Sequence, residues 1–283
     1  MRQAMTTTTG ESGLFGLGLR KPHYRLFSEG AVPVDFVEII SENFMVAGGR
    51  PLETLRRVRA HYPVALHGVS MSLGSVGGLD QDHLARLQML IERIDPLFVS
   101  DHLCWTGDVQ FTAHDLLPLP YTDEALSVVG RNIMEAQDRL GRQILIENPT
   151  SYVTFDHSSI TEWEFIAELA RVTGCGMLLD VNNVFVSASN HSFDAYRYVE
   201  ALHGCDVRQI HLAGHDDSSS IRIDTHDRQV CAAVWDLYRF TIALFPQAAT
   251  MIERDDLIPS IDELVAELDQ ARVIASEMRA LVG

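Results

Sequence analysis

The chain has 283 residues, 46% of them hydrophobic, enough to bury a substantial core in one barrel-sized domain. Its 39 acidic residues outweigh 22 basic ones, and the formal charge of -17 gives a long-range field that repels nucleic-acid backbones and anionic membranes. Four cysteines without C-x-x-C spacing argue against a disulfide scaffold and for a reducing compartment, the cytoplasm by default, and no apolar run reaches the roughly 18 residues of a membrane span.

Residues 1–12 lack an apolar stretch after Arg2 and read as a short disordered leader, ahead of a single domain over residues 13–283. From there, short Val/Ile/Leu-rich runs alternate with longer stretches of helical period, the pattern of βα units around a parallel sheet. Strands are predicted near 14–19, 36–40, 64–67, 97–103, 143–147, 177–181, 208–212 and 250–253. Amphipathic segments lie between them, among them PLETLRRVRAHY, DQDHLARLQMLIERID, TDEALSVVGRNIMEAQDRLG, SITEWEFIAELARVTG, VCAAVWDLYRFTIALF and the closing SIDELVAELDQARVIASEMRALV. Asp80, Thr122, Ser159 and Ser260 stand where helix N-caps would. Eight strand-and-crossover pairs predict an α/β fold, a single (β/α)8 TIM barrel, with a doubly wound open sheet as the competing architecture. The loops 68–79, 104–121 and 214–228 follow strands and would form the rim of a pocket.

Six of the apolar runs end on a metal-competent side chain: VALHG at His67, FVSDH at His102, ILIEN at Glu147, LLDVN at Asp180, RQIHL at His211 and TMIER at Glu253. A buried strand should finish in apolar or turn residues, since an imidazole or carboxylate there is desolvated unless something compensates it. In a barrel the carboxyl ends of all strands converge on one pole, where such enzymes keep their active sites. Polar ends spread over strands three to eight favour that geometry over an open sheet, which gathers its site at one switch point. Glu147 has two oxygens and can bridge a cation held by His67 and His102 to a second held by Asp180, His211 and Glu253. Asp101 is a candidate acceptor for one of the imidazoles. A third group lies in loops: Asn183 three residues past Asp180, His215 four past His211, and Asp224-x-His226. Mixed nitrogen and carboxylate donors suit Fe, Mn or Zn better than Ca or Mg.

The other features take plainer readings. His23, His61, His83, His114, His157, His191 and His203 read as solvated or capping residues, Trp163 and Trp235 as packing residues, and Cys104 as a buried thiol. The Gly-rich stretch 72–78 lacks a P-loop lysine and G-x-G-x-x-G spacing, so a mobile lid is expected there rather than a phosphate cradle.

The ordered stretches GLGLR (16–20), EIISENFM (38–45), HGVSMSLG (67–74), SDHLCW (100–105), ENPTSYV (147–153), EWEF (162–165), LLDVNNVFV (178–186), HLAGH (211–215), IDTHD (223–227) and ERD (253–255) carry a resemblance over nearly the whole length. The chain resembles the multinuclear non-heme iron-dependent oxidative enzymes, the family of the methanobactin biosynthesis oxidase. That resemblance implies a barrel similar to xylose isomerase and endonuclease IV, holding two or three irons in mixed Fe(II)/Fe(III) states, with O2 as cosubstrate. It implies one iron on His67, His102 and bridging Glu147, a second on Glu147, Asp180, His211 and Glu253, and a third on Asn183, His215, Asp224 and His226. Between Asn182 and Asn183, the three-residue step from Asp180 favours Asn183. Glu147, Asp224 and His215 are implied to take part in catalysis. The implied reaction is oxidation of a ribosomally made precursor peptide at cysteine, of the oxazolone/thioamide type or related. The peptide would be delivered by a small partner protein with a peptide-recognition domain, in a heterodimer.

A Zn or Mn phosphodiesterase or a sugar isomerase could use the same barrel and donors. The acidic balance speaks against a DNA nuclease, and the only lysine, Lys21, against an isomerase that needs one beside its metals. A metal-storing scaffold is the non-enzymatic alternative.

Overall fold

The computed structural model describes residues 13–108 and 111–282; the expected leader, residues 1–12, lies outside them. Eight parallel strands close into a barrel: β1 (Phe15–Gly18), β2 (Phe36–Ile40), β3 (Val64–Gly68), β4 (Val99–His102), β7 (Leu145–Glu147), β8 (Gly176–Asp180), β9 (Val207–Leu212) and β10 (Ala249–Ile252). They pair in chain order, and β10 closes on β1. Each predicted strand is present, displaced by a residue or two at its ends.

Side chains alternate across each strand, so every strand offers one column to the helices and one to the barrel interior. The outward column, Leu17, Val37, Ile39, Leu66, Val99, Ile146, Leu179, Ile210 and Ile252, joins the large core packed under the helices. The inward column is apolar only at the amino-terminal end, where Phe36, Ala65, Phe98, Leu145, Leu178, Ala249 and Met251 form a separate plug. Phe36 fills this space because Gly16 opposite has no side chain: a Cβ there would lie 2.5 Å from the ring. Further along the inward columns stand Glu38, His67, Ser100, His102, Glu147, Asp180, His211 and Glu253, all buried. The barrel therefore has an oily floor and a polar mouth, set by a switch in residue type at one level.

The main crossover helices are α2 (Arg50–Arg59), α3 (Gln81–Ile94), α4 (Asp123–Leu140), α5 (Glu162–Thr173), α8 (Ala232–Leu244) and α9 (Ile261–Val282); the short α1 (Tyr24–Ser28) and α7 (Ala195–Ala201) were not signalled by periodicity. Neither was α6 (Val181–His191), which starts directly on the last residue of β8 with no loop. Asp80 and Thr122 accept first-turn N–H groups of α3 and α4, and Ser260 accepts one from Glu263 at α9. Ser159 does not cap α5. Thr161 does, through a reciprocal capping box with Glu164.

Two rim loops differ from expectation. Residues 104–121 hold an antiparallel hairpin, β5 (Trp105–Asp108) with β6 (Phe111–Leu117), fastened by Trp105 Nε1 donating to Pro118 O at 3.1 Å. The Gly-rich segment expected to be a mobile lid is tied down instead. Gly74 N–H donates to Cys104 O at 2.8 Å, and fully buried Asn132 donates from Nδ2 to Leu73 O and Ser75 O, both at 2.8 Å. A short side chain with a two-hydrogen donor closes a loop that its glycines would leave loose.

Asn132→Ala strips both carbonyls of their partner in a buried setting, so unfolding free energy should fall by about 1–3 kcal/mol. Urea denaturation should show this as a lower midpoint with an unchanged slope.

Candidate metal centre

Strand register brings the polar ends together. His67 pairs in register with Ser100, His102 with Glu147, and Asp180 with His211, so neighbouring side chains stand at nearly one height around the mouth. Glu147 is at the middle, 1% exposed, with Oε2 3.2 Å from His67 Nε2 and 3.4 Å from His102 Nε2 and Oε1 3.9 Å from His211 Nδ1. His211 Nδ1 is 3.0 Å from Glu253 Oε2. Two sets of donor atoms follow, each within 4.8 Å of one another: His67, His102 and Glu147; and Glu147, Asp180, His211 and Glu253. Glu147 is common to both.

Each imidazole is oriented from behind. His67 Nδ1 meets Ser100 Oγ at 2.8 Å and His102 Nδ1 meets Gly68 O at 3.0 Å, which leaves the two Nε2 atoms facing Glu147. His211 is turned the other way: its Nε2 lies 3.1 Å from Glu38 Oε1, leaving Nδ1 for the cluster. Gln209 Nε2 donates to Glu38 Oε2 at 2.6 Å. Asp101, expected to hold an imidazole, does not; it lies on the outward face of β4 and accepts backbone N–H groups of His102 and Met71 at 2.8 and 3.1 Å. Asp180 divides its two oxygens. Oδ1 accepts the Asn183 N–H at 2.6 Å as the N-cap of α6, and Oδ2 has no hydrogen-bond partner. Asn148 locks Asp180 by exchanging side-chain hydrogen bonds with its backbone N–H and C=O, both at 3.0 Å.

The loop donors form a third arm. Asp224 Oδ1 is 2.7 Å from His226 Nε2, and His226 Nδ1 is 3.4 Å from Glu253 Oε2 and 3.3 Å from Asp255 Oδ2, joining the arm to the barrel cluster. His226 holds φ +47°, a costly conformation for a residue with a side chain and one often kept at functional sites. His215 Nδ1 is 2.8 Å from Asn182 Oδ1, and Asn182 Nδ2 donates to Asp224 Oδ1 at 2.7 Å. Asn182, not Asn183, thus faces this arm. The side chain of Asn183 is engaged on the other side, accepting from Thr150 Oγ1 at 2.7 Å and donating to Asn148 O at 3.1 Å. The three-residue step from Asp180 leads to the Asn183 backbone rather than to its side chain, because Asp180 caps α6 by accepting the Asn183 N–H.

The charges sort into opposing pairs. Burial opposes charge on His211 and His226, yet Glu38 and Glu253 hold His211 well above the usual imidazole range, and Asp224 and Glu253 do the same for His226. Burial also opposes charge on Glu253, but the same two imidazoles outweigh it and hold its carboxyl well below the usual range. Glu147 is raised well above, by burial first and then by Asp180 and the other acids, although His211 pulls it down. Burial and Asp224 push Asp180 up to about 7, against the pull of His226. Burial, and then its neighbour His67, lowers His102 to about 3, so it is a neutral nitrogen donor.

These residues fit a metal. Glu147 Oε2, Asp180 Oδ2, His211 Nδ1 and His226 Nε2 are buried and lack hydrogen-bond partners, although for Glu147, His211 and His226 oppositely polarised atoms stand 2.7–3.9 Å away. Close approach without hydrogen-bond alignment is the geometry of donors arranged around a shared cation. The nitrogen and carboxylate set suits Fe, Mn or Zn.

Comparison with known proteins agrees with the motifs. Residues 14–276 match the family model described as the RiPP precursor modification enzyme MbnB/TglH/ChrH. The chain belongs to this family. A UPF0276 protein of Rhizorhabdus wittichii is 62% identical over 265 residues, covering 93% of this chain and 95% of that one. A UPF0276 protein of Caulobacter vibrioides is 58% identical, covering 91% and 92%. Among solved structures, a xylose isomerase-like TIM barrel protein from Mycobacterium smegmatis in complex with magnesium superposes with a TM-score of 0.60 at 10% identity, covering 94% of this chain and 97% of that one. The D-psicose 3-epimerase of Clostridium cellulolyticum with D-tagatose gives 0.58 at 10% identity, covering 95% and 99%. The expected likeness to the xylose isomerase and endonuclease IV type of barrel is present; SacUVDE also superposes, with a TM-score of 0.53. At such identities the likeness is one of fold.

Several residues of this family member escaped sequence reasoning. Glu38 stands mid-run in FVEII rather than at a strand end, although a lone acid inside an apolar strand carries the same signal of a desolvated carboxylate. Gln209 in RQIHL is similar, whereas Asn148 and Asp255 are legible only from contacts. Among the plainer readings, Cys104 is buried, and burial pushes its thiol well up. His23 is buried against Pro259 O at 2.9 Å and His83 is buried rather than solvated; the side chain of His114 lies outside the described residues.

Glu38→Gln keeps the shape but removes the charge that holds His211 Nε2–H, so metal affinity should fall by roughly 10–100-fold in a competition titration while the far-UV spectrum is kept. An incoming cation must displace protons from His211, His226, Glu147 and Asp180, all held above their ordinary values. Binding should therefore release protons and weaken as pH falls through about 7, which calorimetry in buffers of different ionisation enthalpy would measure.

Proposed function

We propose that this chain is a multinuclear iron-dependent, O2-using oxidase that modifies a ribosomally synthesised precursor peptide at cysteine. Membership of a family that modifies such precursors supports the substrate class. The single observation that carries the multinuclear part is Glu147, a fully buried carboxylate whose two oxygens face separate donor sets. One cation needs only one of those sets. His67, His102 and Glu147 would hold the first ion, and Glu147, Asp180, His211 and Glu253 the second. A third would take His215, Asp224 and His226, with Asn182 in the place first given to Asn183.

Iron in this pocket supplies a Lewis acid that lowers the pKa of a substrate thiol and a redox partner for O2. The protein does the rest. Ser100, Gly68 O and Glu38 fix the imidazoles, so the ion positions are set before substrate arrives. Glu147, Asp224 and His215 are the groups we assign to the reaction itself: Glu147 as the carboxylate shared by two donor sets, Asp224 as the carboxylate between His226 and Asn182, and His215 as a buried imidazole lowered from its usual range, first by burial and then by Arg222, and so a neutral nitrogen donor. Tyr152, Val153, Phe155, Ile221 and Ile223 are exposed apolar side chains on the loops after β7 and β9, suited to an extended peptide. Among the described residues no helix is long and apolar enough to cross a membrane. We assign the protein to the cytoplasm, with a small peptide-recognising partner as a heterodimer.

Protein purified without oxygen should carry iron at two or more ions per chain with a coupled Fe(II)/Fe(III) Mössbauer signal, and should consume O2 only with a cysteine-bearing precursor peptide. His102→Ala and Asp224→Ala should each lose iron while keeping the fold. Stoichiometric zinc with no O2 uptake would instead favour a hydrolase or isomerase on the same barrel.

A further inference from the structure

The outward columns of the barrel wall are apolar at Leu66, Ile146, Leu179 and Ile210, but on β4 the outward column runs from Val99 to Asp101, which pairs in register with Gly68 and Ile146 and is 0% exposed. Its carboxylate faces Glu42, in the turn after β2, and His83, in the first turn of α3. The three residues each offer one donor atom within 4.8 Å of the others. His83 Nε2 lies 4.0 Å from Glu42 Oε1 on a side chain only 7% exposed, and it has no hydrogen-bond partner. Glu42 Oε1 accepts the Val69 N–H at 3.0 Å, while Glu42 Oε2 is buried and also unpartnered. Asp101 is steadied by the N–H groups of His102 and Met71 at 2.8 and 3.1 Å, and it has room because residue 68 is glycine: a Cβ there would lie 2.2 Å from Oδ2.

We propose that Glu42, His83 and Asp101 form a second cation site, separate from the barrel mouth, that takes one divalent transition-metal ion of the Zn/Mn/Fe class. Two carboxylates side by side, Asp101 fully buried and Glu42 partly so, repel each other, and a buried imidazole nitrogen aimed at them without a partner adds a further uncompensated group. One cation satisfies all three. Nitrogen together with two carboxylates suits an ion of this class better than Ca or Mg, which prefer oxygen alone. Glu42 and His83 also line a cavity of about 750 Å³, together with Ser70, Ser72, Asp80 and Thr106, which would give an ion an entry path and a solvent ligand. The site binds three consecutive parts of the wall, after β2, at the start of α3 and on β4 beside His102. An ion there braces the strand that presents His102 to the barrel mouth, and it does so whatever metal the mouth holds.

Wild-type protein reconstituted with Zn2+ and desalted should retain one ion per chain more than Glu42→Gln or His83→Phe, each checked for fold by circular dichroism. His226→Ala, altered only at the mouth, should keep that ion. Wild-type crystals soaked in Mn2+ should show an anomalous difference peak between Glu42, His83 and Asp101. Equal metal content in wild type and a folded variant, or a map without a peak at this position, overturns the proposal. If neither variant folds, the wild-type map decides alone. Loss of iron or of O2 uptake in the mouth variants bears on the proposed oxidase and not on this site.

Discussion

Everything in this structure is arranged around the cost of burying like charges together. Glu38, Glu147, Asp180 and Glu253 all stand on inward strand columns inside one barrel, each no more than 5% exposed. Four carboxylates at that spacing in a low-dielectric interior are not stable as a group unless positive charge stands among them. The protein supplies part of it through His211 and His226, and the remaining buried oxygens and nitrogens stay unsatisfied. The site is thus preorganised for cations at the expense of fold stability, and the apolar plug and helix layer beneath it must make up the difference.

The same logic explains why the supporting groups are as buried as the donors. An imidazole can bind through either nitrogen, and the choice is made by what holds the other one. Ser100 and a backbone carbonyl make that choice for His67 and His102, whereas a full negative charge, Glu38, makes it for His211. A charged acceptor makes an imidazole a stronger electron donor than a neutral one does. The two donor sets that share Glu147 therefore differ in electronic character as well as in composition.

Much of this was legible in the chain before folding. The strand ends His67, His102, Glu147, Asp180, His211 and Glu253 stood out because a desolvated polar group at the end of an apolar run is unexpected, and that signal is local. The barrel was legible from the alternation of strand and helix periods, and the family from motifs spread over most of the length. What failed to show was of another kind. Asn182 and Asn183 are adjacent in sequence, and only the helix begun by Asp180 decides which of them turns to Asp224 and which to Thr150. The hairpin inside residues 104–121 was hidden by its short, weakly alternating strands, and the tethering of the Gly-rich loop depends on Asn132 from a different helix.

The sequence by itself determined the level at which each strand changes from apolar to polar, because side-chain alternation and residue type are properties of the chain alone. Tertiary structure decided which of those polar groups come within ligating distance of one another, which nitrogen of each imidazole faces inward, and that Glu38 and Asp255 belong to the mouth while Asp101 faces away from it. Those outcomes depend on strand register and barrel closure, which bring together atoms far apart in sequence, and no local pattern of residues encodes a distance between them.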